Sequence, residues 1–373
     1  MLYQTHVRVH LNNIRDNILA IRRQVGDQRK ILIAVKANAY GHGALSVARM
    51  AQAIGVNYLG VATVPEGIEL RQAGIKLPIL KFSPAFPEEM QAALENQITL
   101  TICDQANAQQ LDTLCTQIGV KPAIHLKVDT GMGRIGVPPQ DAAAFAKYLV
   151  ENCPNLMLEG VYTHLPVSDL ADPTYTNSQL LLFKEVAASI EAVLGHKIPL
   201  VHCANSGGIL GHPDSWMDMV RPGIMIYGYY PDISTPRTIA LKPGLSFYTR
   251  VSFIKYVSKG TSIGYGRTWI ATEDTWIATI PVGYADGFNR RFSNMGRVLI
   301  GGHSYPIVGR VCMDQSMVNL GPRTNVKVGD QVTLMGNDGG EEISCDEWAE
   351  KLGTITYEIT CQINARVPRI YSA

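Results

Sequence analysis

Lys36 closes the apolar run ILIAV and is followed by the small, turn-forming stretch ANAYGHG. An ammonium in that position is costly to desolvate unless it is paired, neutral or covalently used. Two readings follow: an amine that snorkels to solvent, or a lysine that forms a Schiff base with a carbonyl compound. Much later in the chain, Asn205-Ser206-Gly207-Gly208 and Arg221-Pro222-Gly223-Ile224 place glycines directly after apolar runs. Such glycines are ordinary turn residues, and loops of this kind also hold phosphate on backbone N–H groups and a helix start. A phosphate cradle opposite a buried lysine points to a phosphorylated carbonyl compound. That is either a sugar phosphate in an aldolase or pyridoxal phosphate as a cofactor.

The elements that must position these groups alternate along the chain. Leu11, Ile14, Ile18, Ile21 and Val25 fall on one stripe at helical spacing, with Gly26 as a stop, which predicts a helix over 11–25. Eight short apolar segments rich in β-branched residues follow: ILIAVK (31–36), YLGVAT (58–63), PILKF (78–82), ITLTIC (98–103), AIHLKV (123–128), LMLEGVYTH (156–164), LVHCAN (200–205) and WMDMVRP (216–222). Helix signals lie between them, such as Thr63 with Pro65 and Gly74, or Asp104 opening DQANAQQLDTLCTQIG and Gly119 closing it. Continuous apolar strands are buried on both faces, so this α/β rhythm predicts a (β/α)8 TIM barrel in preference to an open doubly wound sheet. After the proline-bearing stretch YYPDISTPRTIALKPG (229–244) the texture changes to two-residue alternation with glycine turns. The expected organisation is a barrel domain over 1–240 and a mainly β C-terminal domain over 241–373.

Composition narrows the partners. The 373 residues carry 33 Lys and Arg against 32 Asp and Glu, a net charge of +1, and only 17% of them are charged. No large one-signed surface follows from that, which speaks against nucleic acid. At 46% hydrophobic the chain fills a sizeable core. The start MLYQTHVRVHLNNIRDN lacks a signal-peptide pattern, and no stretch approaches the ~18 apolar residues that span a bilayer. Seven scattered cysteines without a Cys-x-x-Cys fit reduced thiols better than a disulfide framework or a zinc site. A cytoplasmic protein with no metal is expected.

Taken in order, AVKANAYGHG (34–43), KVDTGMGRIG (127–136), YTH (162–164), ANS (204–206), RPGI (221–224), GYGRTW (264–269), VGYADG (282–287), GRVCMDQ (309–315) and RVPR (366–369) resemble the alanine racemase family, over nearly the whole chain. The resemblance implies a fold-type III pyridoxal phosphate enzyme, an isomerase that interconverts L- and D-alanine and supplies D-alanine as a peptidoglycan precursor. It also implies a homodimer in which the β domain of one copy completes the site of the other. On this pattern Lys36 holds the cofactor and works as a base on one face of the substrate Cα, and Tyr265 from the partner works on the opposite face. A phenol of pKa ~10 is a poor base near neutrality, and the family places His164 and Arg221 to support it. Arg221 also resembles the partner of the pyridine nitrogen, where a guanidinium protonates the ring less readily than a carboxylic acid and so favours racemisation over transamination. Tyr40, Ser206, Gly223, Ile224 and Tyr357 match phosphate contacts, with Asn205 beside them in the cofactor set. Arg134 matches the arginine near the substrate carboxylate, and Tyr284 and Met313 match the entry and carboxylate side of the pocket. Lys127 falls at a position often carbamylated in the family, where the new carboxylate would orient Arg134.

The chain departs from the family pattern at Leu165-Pro166-Val167-Ser168-Asp169 after His164, at Gly207-Gly208 after ANS, and at Ser316 and Asn319 in CMDQSMVN. None of these removes a proposed catalytic group, but they make serine or another small amino acid an alternative substrate. Tyr357 keeps the bulky ring that resembles the alanine-selective pattern, which favours a methyl side chain. The other readings are a pyridoxal phosphate-binding homeostasis protein without enzyme activity, which resembles the barrel alone, and an amino-acid decarboxylase, which predicts an acidic partner for the ring nitrogen.

Overall fold

In the computed structural model, which describes residues 2–372, the predicted first helix spans Leu11–Val25 and buries Ile14, Ile18, Ile21 and Val25. The apolar stripe faces the core, Arg23 is exposed, and half-buried Arg22 donates to the carbonyls of Ile54 and Gly55. The chain forms two compact units. One holds Ile14–Ala39 and Gly43–Lys242; the other holds the residues through Asn13, Tyr40–His42 and those from Pro243 onward. The N-terminal segment, read above as part of a 1–240 barrel domain, therefore packs with the C-terminal unit. Its strand β1 (His6–His10) pairs antiparallel with Leu245–Arg250 and parallel with Arg369–Ser372.

The larger unit carries eight parallel strands: β2 (Lys30–Ala34), β3 (Tyr58–Val61), β4 (Ile79–Lys81), β5 (Ile98–Ile102), β6 (Ala123–Lys127), β7 (Met157–Tyr162), β8 (Leu200–His202) and β9 (Met219–Val220). They are ordered β8-β7-β6-β5-β4-β3-β2-β9. The seam between β8 and β9 is bridged by Asp218 N–H to Val201 O at 3.1 Å and Arg221 N–H to Ala204 O at 2.8 Å, which closes the barrel. Leu32, Tyr58, Leu80, Leu200 and Met219 from five of the strands form one buried cluster. The expected last strand, 216–222, is shorter than its apolar pattern because only Met219–Val220 pairs. Met217 sits at φ 41°, and Pro222 has no N–H to give to a ladder.

The other unit is mainly β. Leu245–Arg250 also pairs with Gln331–Asp338, and Arg297–Ile300 forms a hairpin with His303–Pro306. A separate antiparallel sheet joins Phe253–Val257, Thr275–Ile280 and Ser316–Gly321. Among the described residues the seven cysteines form no disulfide, and no helix is long and apolar enough to cross a membrane.

Candidate active site

β2 ends at Ala34, two residues before Lys36, and the chain then turns left-handed. Ala37, Asn38, Ala39 and Tyr40 have φ of 51°, 53°, 54° and 52°. Each costs about 1–2 kcal/mol relative to the right-handed helix, so a run of four persists only if its surroundings hold it. Glu66 supplies much of that hold. One carboxylate oxygen accepts from Ala37 N–H at 2.7 Å, and the other accepts from Ala62 and Thr63 N–H at 2.8 and 3.1 Å. The same Glu66 completes a capping box with Thr63 at the start of Val64–Gln72. Asn38 adds two acceptors, Oδ1 for Ala44 N–H and its carbonyl for Gly43 N–H. Lys36 thus rises from a strained, clamped turn, with its Nζ 6.0 Å from the centre of the Phe82 ring.

Cations crowd the same end of the barrel. Lys127, the last residue of β6, is buried with Nζ 4.1 Å from the centre of the Tyr162 ring. Burial, together with the Arg221 and Arg134 guanidinium groups, pushes its pKa down to about 7. Burial holds His164 well below the usual imidazole range, helped by the charges of Arg221, Lys127, Arg134 and Lys36. His164 is therefore neutral, and it lies within the electrostatic reach of four basic side chains. The nearby carboxylate of Asp129 is already occupied by the backbone N–H groups of Gly131, Gly133 and Arg134. A cluster so short of anions suits an anionic ligand, and a lysine with pKa near 7 is half free amine at neutral pH.

Arg221, 6% exposed, is fixed by three acceptors. Nη1 donates to His202 Nδ1 at 2.9 Å, and Nη2 donates to the carbonyls of Thr163 and Cys203 at 2.7 and 3.1 Å. Three of its five N–H groups are thereby committed. Behind His202 lies a chain that the sequence reading did not pick out. His202 Nε2 meets His125 Nδ1 at 2.9 Å, His125 Nε2 meets Glu159 Oε2 at 3.2 Å, and the Tyr58 hydroxyl donates to Glu159 Oε1 at 2.7 Å. Tyr162 stacks on His202 at 4.9 Å and 4°, so its ring packs against Lys127 and this chain together. The only signal in the sequence is polar residues placed inside otherwise apolar strands.

The two glycine loops meet. Ser206 is buried, and its Oγ accepts from the N–H groups of Gly223 and Met225 at 3.0 and 3.5 Å, which binds the loop after β8 to the one carrying Ile224. The polar contacts of Asn205 are structural: Oδ1 caps Gly208 N–H at 2.9 Å and receives the Ser168 hydroxyl at 2.7 Å, and Nδ2 donates to Leu165 O at 2.8 Å.

The N-terminal domain of the alanine racemase family matches residues 9–231, and its C-terminal domain matches residues 244–371. The chain belongs to the alanine racemase family. It is 48% identical to the alanine racemase of Cutibacterium acnes over 98% of this chain and 97% of that one. Among solved structures it superposes on the alanine racemase of Clostridium difficile 630 with a TM-score of 0.94 at 36% identity, covering 100% of this chain and 96% of that one. The alanine racemase of Bartonella henselae, solved with covalently bound pyridoxal phosphate, gives 0.88 at 26% identity over 99% of each chain.

Five of the residues that the family pattern singles out lie in the mainly β unit. Tyr265 is 73% exposed on a turn whose flanking glycines have φ of 77° and 70°. Tyr284 and Met313 sit on adjoining segments, because Tyr284 N–H donates to Cys312 O and Ala285 N–H to Met313 O, each at 3.1 Å. Any Cβ at Gly283 would fall far inside contact with the carbonyls of Cys312 and Met313. Three family motifs converge behind these segments: Arg366 of RVPR pairs with Asp286 of VGYADG and Asp314 of CMDQ, each at 2.8 Å. Tyr40 and Tyr357 face each other with ring centres 5.9 Å apart.

The departures from the alanine racemase pattern find local reasons. A Cβ at Gly207 would lie 2.8 Å from backbone atoms of Ser168 and Asp169, so the altered loop after His164 and the altered residue after Ser206 go together. Ser316 donates to Val282 O at 2.8 Å, and Asn319 accepts from the Thr275 hydroxyl at 2.6 Å.

Proposed function

We propose that the chain interconverts L- and D-alanine with pyridoxal 5'-phosphate as cofactor, Lys36 and Tyr265 acting on opposite faces of the substrate Cα. The observation that carries this reading is the cluster of Lys36, Lys127, Arg134 and Arg221 around a neutral His164, with the nearby carboxylate of Asp129 already occupied. That donor set fits a ligand bringing a carbonyl for an amine, a phosphate and the carboxylate of an amino acid. Lys36 would hold the cofactor covalently. Ser206, Gly223, Ile224, Tyr40 and Tyr357 would take its phosphate, with Asn205 holding their loop. Arg221 would face the ring nitrogen. When bound, pyridoxal phosphate supplies an electron sink that acidifies the Cα–H of an attached amino acid.

The chain's own groups then do the rest. Lys36 Nζ, as free amine, holds or returns the Cα proton on one face. The partner subunit's Tyr265 moves it on the other, and its high exposure in one copy supports a homodimer with shared sites. Neutral His164 accepts from that phenol, which an isolated tyrosine near neutrality would need. Arg221 keeps its protons, which weakens the sink and favours return of the proton to Cα over transamination. Arg134 binds the substrate carboxylate, and the partner subunit's Tyr284 and Met313 line the entry and carboxylate side of the pocket. Lys127, with its pKa near 7, is the amine that carbon dioxide would convert to a carbamate, giving Arg134 an anionic partner in place of a repelling cation.

Serine or another small amino acid is the alternative substrate, because the loop after His164 and the residues after Ser206 depart from the family pattern. The C-terminal family match over residues 244–371 disfavours a barrel-only homeostasis protein. We place the protein in the cytoplasm, supplying D-alanine for peptidoglycan. Borohydride reduction with peptide mapping, joined to a polarimetric screen of L-alanine, L-serine and L-lysine, tests the reading. Label on Lys36 and fastest turnover of L-alanine are expected. A preparation with no label on Lys36 overturns the cofactor assignment, and faster turnover of L-serine overturns the substrate.

A further inference from the structure

We infer that Glu159, remote from Lys36 in the chain and on no family motif, is a positioning residue for Arg221, acting through His125 and His202 held as neutral Nε2–H tautomers. Its effect on activity rests on the proposed racemisation; the tautomers do not. The direction of every hydrogen bond in the chain follows from its two ends. A guanidinium can only donate, so His202 Nδ1, 2.9 Å from Arg221 Nη1, must be an acceptor. The proton of a neutral His202 is then on Nε2 and points at His125 Nδ1 at 2.9 Å. His125 in turn carries its proton on Nε2 and gives it to Glu159 Oε2 at 3.2 Å. An ionised carboxylate can only accept, and the Tyr58 hydroxyl fills its other oxygen. Donor-only and acceptor-only ends thus leave one pattern in which every member is satisfied. Protonating His202 would set an N–H against the Arg221 N–H.

The local backbone makes room for this path. His125 stands opposite Gly160 across the β6–β7 pairing, beside a register irregularity between Ile124 and His125. A Cβ at Gly160 would lie 2.6 Å from the His125 ring. A bulged strand re-aims its side chains, and here the imidazole occupies the space a side chain at 160 would need. Burial holds both histidines below the usual range, and the His125 and Tyr58 hydrogen bonds hold Glu159 below its own, although Glu159 is 23% exposed at its side chain. Lys30 is the other charge that both His125 and Glu159 feel.

The test is nitrogen–proton correlation NMR of the imidazoles in the holoenzyme labelled at histidine, on wild type, Glu159→Gln and Glu159→Leu. Wild type should show His125 and His202 neutral, with the proton on Nε2 of each. Glu159→Gln keeps an acceptor and should keep both tautomers, with kcat/KM within about threefold. Glu159→Leu leaves the His125 Nε2–H without an acceptor; it should move that proton's resonance and speed its exchange with solvent, and lower kcat/KM by about tenfold or more, with Lys36 still trapped by borohydride. An Nδ1–H tautomer or an imidazolium at either position in wild type overturns the inference, and so does a Glu159→Leu enzyme whose His125 Nε2–H signal is unperturbed or a Gln variant as impaired as the Leu variant. The wild-type spectrum decides even if Glu159→Leu does not fold. If L-alanine were not racemised at all, the tautomer assignment would still stand or fall by it.

Discussion

Lys127 is a buried base whose pKa falls from 10.5 to about 7 on folding. Between those values the unfolded chain binds the proton more tightly, so stability rises with pH across that window. Below about pH 7 the full penalty is present, and above 10.5 it is gone. Lys127→Met should therefore stabilise the fold by up to roughly 5 kcal/mol at or below neutral pH, read as a higher thermal midpoint in carbon dioxide-free buffer, with the gain shrinking as pH rises. A gain that does not change with pH would contradict the shift. Arg221→Glu should slow racemisation and raise the rate at which cofactor is lost to transamination, measured as the drift of its absorption band; unchanged rates of both would remove Arg221 from the control of reaction specificity. Lys36, Lys127, His164 and Arg221 were legible in sequence because each is a polar residue at the end of an apolar strand. His125, His202, Glu159 and Tyr58 were not, because their partners lie 19 to 101 residues away and strand order alone brings them together.

At the scale of elements, helix caps double as parts of the site. Thr63 was readable as a cap, but the second use of Glu66, as acceptor for Ala37 N–H, depends on β2 and β3 lying side by side. Glu66→Ala should cost about 1–3 kcal/mol in urea unfolding and slow borohydride labelling of Lys36, as the left-handed turn loses its clamp. Normal labelling in a destabilised variant would assign Glu66 to the cap alone. The loop after β7 and the residue after Ser206 make a matched pair. Gly207→Ala should cost about 1–3 kcal/mol by overpacking against Ser168 and Asp169, and Gly211→Ala in the same short helix, whose added Cβ meets only ordinary contacts from 3.4 Å outward, is the control. Equal losses at both positions would refute the matched-pair account.

For the whole molecule, the proposed sharing of sites between two copies makes a complementation prediction. Lys36→Ala and Tyr265→Ala homodimers should each be inactive, while a refolded equimolar mixture should recover about a quarter of wild-type sites, because each mixed dimer keeps one intact pair. No recovery would place both bases in one copy. The order of apolar segments was enough to read eight barrel strands and a β-rich tail, since burial on both faces leaves continuous apolar runs and burial on one leaves alternation. The lysine, the glycine loops and the family motifs were likewise present in the chain itself, because chemistry requires particular side chains at particular strand ends. Only the tertiary structure decided that the first strand joins the C-terminal unit, that four residues after Lys36 turn left-handed, and that a partly exposed glutamate reaches Arg221 through two imidazoles. Each of these depends on hydrogen bonds between segments far apart in the chain, which local pattern does not encode.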